Sequence, residues 1–220
     1  MGAVLAMTLA RHIPKLAACV LLATLAACGN DPTTASPGLA SLQQSVAGLF
    51  KPAQPRPTAA QIRAAVTPQV RQQLGGATLA VTEMPETGQA ALVYAIGRNG
   101  DVITYSTLDN VTFAYQRGVL VGTRGLGFDL ISADVGDVQR ALRQGGRAVR
   151  VHRYLDGEDA LQIRSFICDI TATNPAREIC QGQDTRFENE YQFDAGGRVI
   201  RSRQWVGPER HYLITQQLDE

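Results

Sequence analysis

The chain has 220 residues, enough for one domain of ordinary size behind a leader, and carries 21 basic against 20 acidic side chains. That balance removes the electrostatic case for nucleic acid or for an anionic membrane surface as partner. Its lysines are Lys15 and Lys51, and the remaining strong bases are arginines, whose planar forks suit carboxylates and phosphates where several converge.

The first element is a leader. Arg11, His12 and Lys15 form a basic region, and Leu16 to Leu25 an apolar run. That run is too short to cross a bilayer as a helix, which takes ~20 residues. Leu25-Ala26-Ala27-Cys28 is a small-residue cleavage site ending in cysteine, the lipobox of a bacterial lipoprotein signal. Met7 serves as a start as well as Met1. Cleavage would remove residues 1–27, place lipid on Cys28 and hold the rest at a membrane surface. Losing Arg11 and Lys15 takes the basic count from 21 to 19 and the formal charge to −1. Gly29 follows the cysteine, where an aspartate favours inner-membrane retention in many proteobacteria. The expected location is therefore the bacterial outer membrane, facing the periplasm.

Residues 28–57 are rich in Pro, Ala, Ser, Thr and Gln and read as a tether. Within it Leu39, Leu42, Val46, Leu49 and Phe50 recur at roughly helical spacing. With only Lys51 and Arg56 basic nearby, packing against the domain is preferred over lying on a membrane.

Residues 58–220 form a single β-rich domain. Thr58 is expected to cap a helix through Val66, and Pro68 to open a second turn ending at Gly75. The period then changes to two. Leu79–Met84 alternates. Ala91–Ile96 and Val102–Thr107 flank Asn99-Gly100, the strongest short hairpin signal. Val111–Tyr115 and Val119–Thr123 flank Arg117-Gly118, and Ala133–Arg143 reads as a short internal helix. Arg147–Leu155 and Leu161–Thr171 flank Asp156-Gly157. Arg186–Phe193 and Val199–Trp205 flank Ala195-Gly196-Gly197, and Tyr212–Gln217 is the last strand. Consecutive hairpins predict an antiparallel meander curved into a barrel-like or sandwich domain, and the lack of βαβ alternation argues against a Rossmann-type nucleotide fold.

Four cysteines divide by position. Cys19 leaves with the leader, Cys28 takes lipid, and Cys168 and Cys180 remain as a pair in an exported chain, where a disulfide is the default. Zinc, with His152 and His211 as extra ligands, is the rival. The cysteines lack the close spacing of structural zinc sites, so neither metal nor cofactor is expected.

Gly122, Gly125 and Gly127 have neither the spacing nor the following helix of a phosphate loop and read as a tight turn. His152, Asp156, Glu158 and Asp159 bring an imidazole and three carboxylates into one hairpin. Paired carboxylates can cleave a glycoside, but turn carboxylates are usually solvated. No G-x-S-x-G occurs, which argues against an α/β-hydrolase, and Ser165 and Ser202 carry no signature of activation. Trp205 is the lone tryptophan. Such a residue is most often core, but with Arg203 on the same strand face and Gln204 beside it, it also suits a platform for a sugar ring or an interface anchor.

Five segments, in order, resemble the YjbF family of lipoproteins: Arg124–Leu130, His152–Gly157, Arg164–Cys168, Phe187–Tyr191 and Ser202–Pro208, followed by Tyr212-Leu213. One departure is His211, where glycine is the expected family residue. The resemblance implies an outer-membrane lipoprotein associated with exopolysaccharide or capsule export, a curved antiparallel β domain, and no enzymatic activity. The expectation is a non-catalytic accessory that binds glycan or export proteins, with His152, Tyr154, Arg203, Gln204 and Trp205 as the candidate binding surface. A glycan-modifying enzyme using Asp156 and Glu158, and a purely structural envelope protein, are the alternatives.

Overall fold

Backbone proximity divides the chain into Met1–Gln54 and Pro55–Glu220. The structure, a computed structural model, describes residues 56–155 and 160–218. The lipobox with Cys28, nearly all of the tether, and Asp156, Glu158 and Asp159 lie outside the described residues.

Among the described residues, two short helices lead in. Helix α1 (Ala59–Ala65) begins with a capping box. Thr58 Oγ1 accepts from the Gln61 amide at 3.2 Å, and Gln61 Oε1 accepts from the Thr58 amide at 2.9 Å. Together they satisfy two donors that the first turn leaves free. Helix α2 (Pro68–Gln73) starts on Thr67, with Pro68 at the position where a missing N–H costs nothing.

Twelve strands follow. They are β1 (Leu79–Met84), β2 (Gln89–Asn99), β3 (Val102–Ser106), β4 (Thr112–Gln116), β5 (Val119–Arg124), β6 (Leu130–Asp134), β7 (Gly146–Leu155), β8 (Leu161–Thr171), β9 (Ala176–Gln181), β10 (Arg186–Phe193), β11 (Val199–Gly207) and β12 (His211–Gln217). Helix α3 (Gly136–Gln144) separates β6 from β7. All of them join one antiparallel sheet in the order β5-β4-β3-β2-β1-β12-β11-β10-β9-β8-β7-β6. Each strand pairs with its neighbours in sequence except β5 with β6, and β1 zips to β12 through Ala80↔Gln217 to Glu83↔Ile214. The meander is thereby nearly closed into a barrel, open only at a seam between β5 and β6.

That seam is bridged by side chains where a ladder is missing. Arg124 Nη1 donates to Leu130 O and Nη2 to Ile131 O, each at 3.2 Å, and the Leu130 amide donates to Thr123 Oγ1 at 3.0 Å. From α3, Gln139 Nε2 donates to Gln116 O at 3.0 Å. Unpaired strand edges are costly and prone to wrong pairing, and these contacts cover this one.

Strict alternation sorts inside from outside. Along β7, Ala148, Arg150, His152 and Tyr154 are buried; along β8, Phe166, Cys168 and Ile170; along β9, Ala176, Glu178 and Cys180. The outer face of β7 and β8 keeps Val149, Ile163 and Ile167 exposed. One core cluster gathers Val138, Ala141 and Leu142 of α3 with Ala148, Phe166, Ile170, Phe187 and Trp205. A second lies among Ala80, Val93, Tyr105, Phe113, Leu120, Leu130, Tyr154 and Leu213.

Two expectations shift. The internal helix starts at Gly136, because Ala133 and Asp134 end β6, a strand the sequence did not announce, against His152 and Val151. Strand β9 did not emerge from the sequence: Ala-Arg-Glu-Ile-Cys-Gln alternates, but a glutamate occupies the inward position where an apolar residue would signal a strand. Its register sets Cys180 directly opposite Cys168, and the two form a disulfide within the barrel.

The cysteines are 12 residues apart. Constraining a loop of that size in the unfolded chain is worth about 3 kcal/mol. Replacing both Cys168 and Cys180 by alanine should lower stability by about that amount in urea unfolding; an unchanged midpoint would count against a structural disulfide.

Candidate functional site

Inside the barrel, β7 carries a guanidinium at Arg150 and β9 a carboxylate at Glu178, both with 0% exposed surface. A buried charge is tolerable only with a partner and with its remaining hydrogen bonds satisfied. Arg150 Nε lies 3.1 Å from Glu178 Oε1, but off the N–H axis, so Nε makes an ion contact and no hydrogen bond. The bonded route runs through Tyr191. Arg150 Nη2 donates to Tyr191 OH at 3.1 Å, and that hydroxyl donates to Glu178 Oε2 at 2.7 Å. Asn189 Nδ2 donates to the same oxygen at 2.8 Å. Cys180 Sγ sits 3.4 Å from Glu178 Oε1, a packing contact, since a disulfide sulfur has no proton.

A second branch leaves Arg150 along its own strand. Tyr154 OH donates to Val206 O at 2.8 Å, so it accepts from His152 Nδ1 at 2.7 Å. His152 Nε2 then presents its lone pair to Arg150 Nη1 at 3.4 Å. The tautomer follows from this bonding pattern. Burial, and then the Arg150 charge, hold the His152 imidazole well below the ordinary histidine value of 6.5, so it is neutral. Burial, with the Glu178 charge, pushes the Tyr191 hydroxyl well above its ordinary value. The group is a fixed polar layer with a neutral imidazole, bonded throughout except at Arg150 Nε, which has only its ion contact with Glu178.

Gln204 extends this layer across the barrel. Its Oε1 accepts from the Leu120 amide at 2.8 Å, and its Nε2 donates to Gly118 O at 2.8 Å and Ser202 Oγ at 2.9 Å. One amide from β11 thus caps backbone groups at the start of β5 that have no ladder partner.

Further along the wall, the β10–β11 ladder stops at Glu190↔Arg203. Side chains take over below it. The Trp205 amide donates to Asn189 Oδ1 at 2.7 Å, and the Glu188 amide donates to Tyr212 OH at 3.2 Å. Trp205 fills the opening, 8% exposed, stacked 5.6 Å from Phe187 and edge-on to Tyr212 and His211. The Arg203 guanidinium lies 3.2 Å over the centroid of Tyr212 and is only partly covered. A cation over an aromatic face is attracted by the ring quadrupole. His211 adopts φ +54°, the left-handed region, which accounts for glycine being the expected residue there.

The barrel wall therefore sets Arg203 apart from the other four candidate residues, since Trp205 joins Phe166 and Phe187 in the core. His152, Tyr154 and Gln204 point inward and are 0–1% exposed. Arg203 and Trp205 meet at Tyr212. Sequence reasoning missed Arg150, Glu178, Asn189 and Tyr191, which complete the inner layer. Their signal was charged and amide side chains at the inward phase of otherwise apolar strands.

The glycine-rich segment is a turn. Gly125 and Gly127 have φ near +90°. The Asp129 carboxylate accepts from the Gly125 amide at 2.9 Å, the Leu126 amide at 3.2 Å and the Thr123 hydroxyl at 2.8 Å. Amides that an anion would need are thus already taken. Phe128 packs 5.1 Å from Tyr154, and both rings crowd Gly207, where a Cβ would come within 3.1 Å of Tyr154. Cys168, Glu178 and Cys180 place potential metal ligands together, but both sulfurs are bonded to each other.

A family model described as group 4 capsule polysaccharide lipoprotein GfcB, YjbF matches residues 42–218. In fold, the chain is similar to the crystal structure of the hypothetical lipoprotein YmcC from Escherichia coli. The TM-score is 0.58 and the identity 18%, over 80% of this chain and 94% of that one. Among the curated proteins, none matches.

Arg150→Met should cost about 3–5 kcal/mol by stranding Glu178, and the added change Glu178→Leu should recover much of it. Equal losses in single and double variants, read by urea unfolding, would refute the coupling. His152 adds a pH signature. The unfolded chain binds its proton below the ordinary value of 6.5 while the folded one does not. As pH falls from 6.5 to about 5.5, stability should drop by about 1 kcal/mol through this group, the slope steepening toward about 1.4 kcal/mol per unit below that. His152→Gln should flatten that part of the slope; identical slopes would remove His152 as its source.

Proposed function

The chain belongs to the YjbF family of capsule polysaccharide lipoproteins, and from that membership we propose that it is a non-catalytic accessory in exopolysaccharide or capsule assembly and export. Lipid on Cys28 would hold it at the outer membrane, and the segment from Gly29 to Pro57 would let the domain reach into the periplasm. The observation that carries this reading is the family match across nearly the whole domain, joined to a lipobox placed just ahead of it.

The geometry bears on how such an accessory works. Inward side chains of β7, β9, β10 and β11 bond to one another and leave few groups to offer a ligand. Binding then falls to the outer wall and the loops. On that wall Arg203 is a partly exposed cation held over Tyr212, with Trp205 fixing the strand beneath it. Arginine and aromatic groups of this kind serve glycans and protein interfaces alike. The partner is accordingly the passing polymer or a protein of the export apparatus.

The experiment is a secretion assay in cells that make the polymer. Cys28→Ala should shift the protein to the soluble fraction and lower secreted polysaccharide severalfold. Arg203→Ala should keep the fold, as seen by circular dichroism, and still reduce secretion. Full secretion with both variants would overturn the anchored-accessory reading.

A further inference from the structure

We infer that a notch in the outer wall beside the β5–β6 seam binds a carboxylate-bearing sugar residue. The inference rests on the polysaccharide role proposed above and names the kind of residue recognised. The notch has a volume of about 320 Å³, within the roughly 300–1,000 Å³ range of small-molecule sites.

Register creates it. Thr104 of β3 lies opposite Ala114 of β4, which lies opposite Gly122 of β5. Side chains thus shrink across three strands toward the seam, and Ile131 of β6 closes the far side. The floor is apolar and short, so a ring can lie flat on it.

The rim is polar and cationic. Arg124, an exposed residue at the end of β5, lines the notch. Its guanidinium is held by the carbonyls of Thr123, Leu130 and Ile131. Those bonds use three of five N–H donors and leave Nε and one Nη2 hydrogen without a partner among the described residues. Arg124 has no ion pair among them either; the nearby Asp129 carboxylate is engaged by two amides and the Thr123 hydroxyl. The hydroxyls of Thr104 and Thr112 also line the notch and bond to no described residue. A cation whose side chain is already fixed loses little freedom on binding, and a planar guanidinium matches a planar carboxylate. A uronic-acid ring fits these features: its C–H face meets Ala114, Gly122 and Ile131, its hydroxyls meet the threonines, and its carboxylate meets Arg124.

The test is calorimetric titration of the full chain in detergent with an oligogalacturonate and with its carboxyl-reduced counterpart. Expected is millimolar or tighter binding of the acidic form, weakened roughly tenfold by reduction. Ala114→Leu, which fills the notch without touching the seam, should abolish it, and Arg124→Gln should weaken it by about tenfold. No binding of the acidic oligosaccharide, equal binding of the reduced one, or binding that Ala114→Leu leaves unchanged would each overturn the inference. If polymer secretion still depends on the protein in any of those cases, the accessory role stands and only the notch fails.

Discussion

Pairing of β1 with β12 decides everything else in this domain. A meander of consecutive hairpins has two free edges at its ends; here the first and last strands hydrogen-bond, so the edges move to mid-chain, at β5 and β6. Closure also creates an inside. Once the sheet has one, a period-two strand must commit each residue to the core or to the outer surface, and a one-residue slip would exchange the two sets. The remaining gap is managed locally. Arg124 and Thr123 bond the facing strand, and Gln204 reaches across to cap the start of β5.

The inner polar layer fits this logic better than a catalytic one. A buried ion pair is weak evidence for stability, because desolvation offsets most of the attraction. Its geometry is demanding, however. Arg150, Glu178, Asn189 and Tyr191 come from β7, β9 and β10, and satisfy one another only in the observed register. His152 joins them as a neutral ring. The layer gives a barrel of many similar strands a reason to prefer one alignment.

The segments that carry the family resemblance are largely the ones that build this architecture. Arg124 to Leu130 forms the seam turn, His152 and Tyr154 the inner relay, and Gln204 to Gly207 the strand end that meets Phe128 and Tyr154. Recognition by these residues speaks first to fold. The Arg203–Tyr212 stack and Arg124 belong to the same segments and are the parts of them left partly or fully exposed.

Much of the architecture was legible in the chain. Hairpin signals at Asn99-Gly100 and Arg117-Gly118, the Thr58 cap and the pairing of Cys168 with Cys180 follow from local chemistry that short segments carry by themselves. Strand β9 escaped because its inward glutamate breaks the apolar alternation that marks a strand. The grouping of His152, Tyr154, Gln204 and Trp205 with Arg203 did not show that the first four are buried and Arg203 alone is partly exposed, because phase along one strand says nothing about which face another strand turns inward. The sequence by itself determined the β class, the turns, the cysteine pair and the family. Only the tertiary structure decided where the sheet closes, which polar groups are buried together, and which faces remain for a partner, because each of those depends on pairing between residues far apart in the chain.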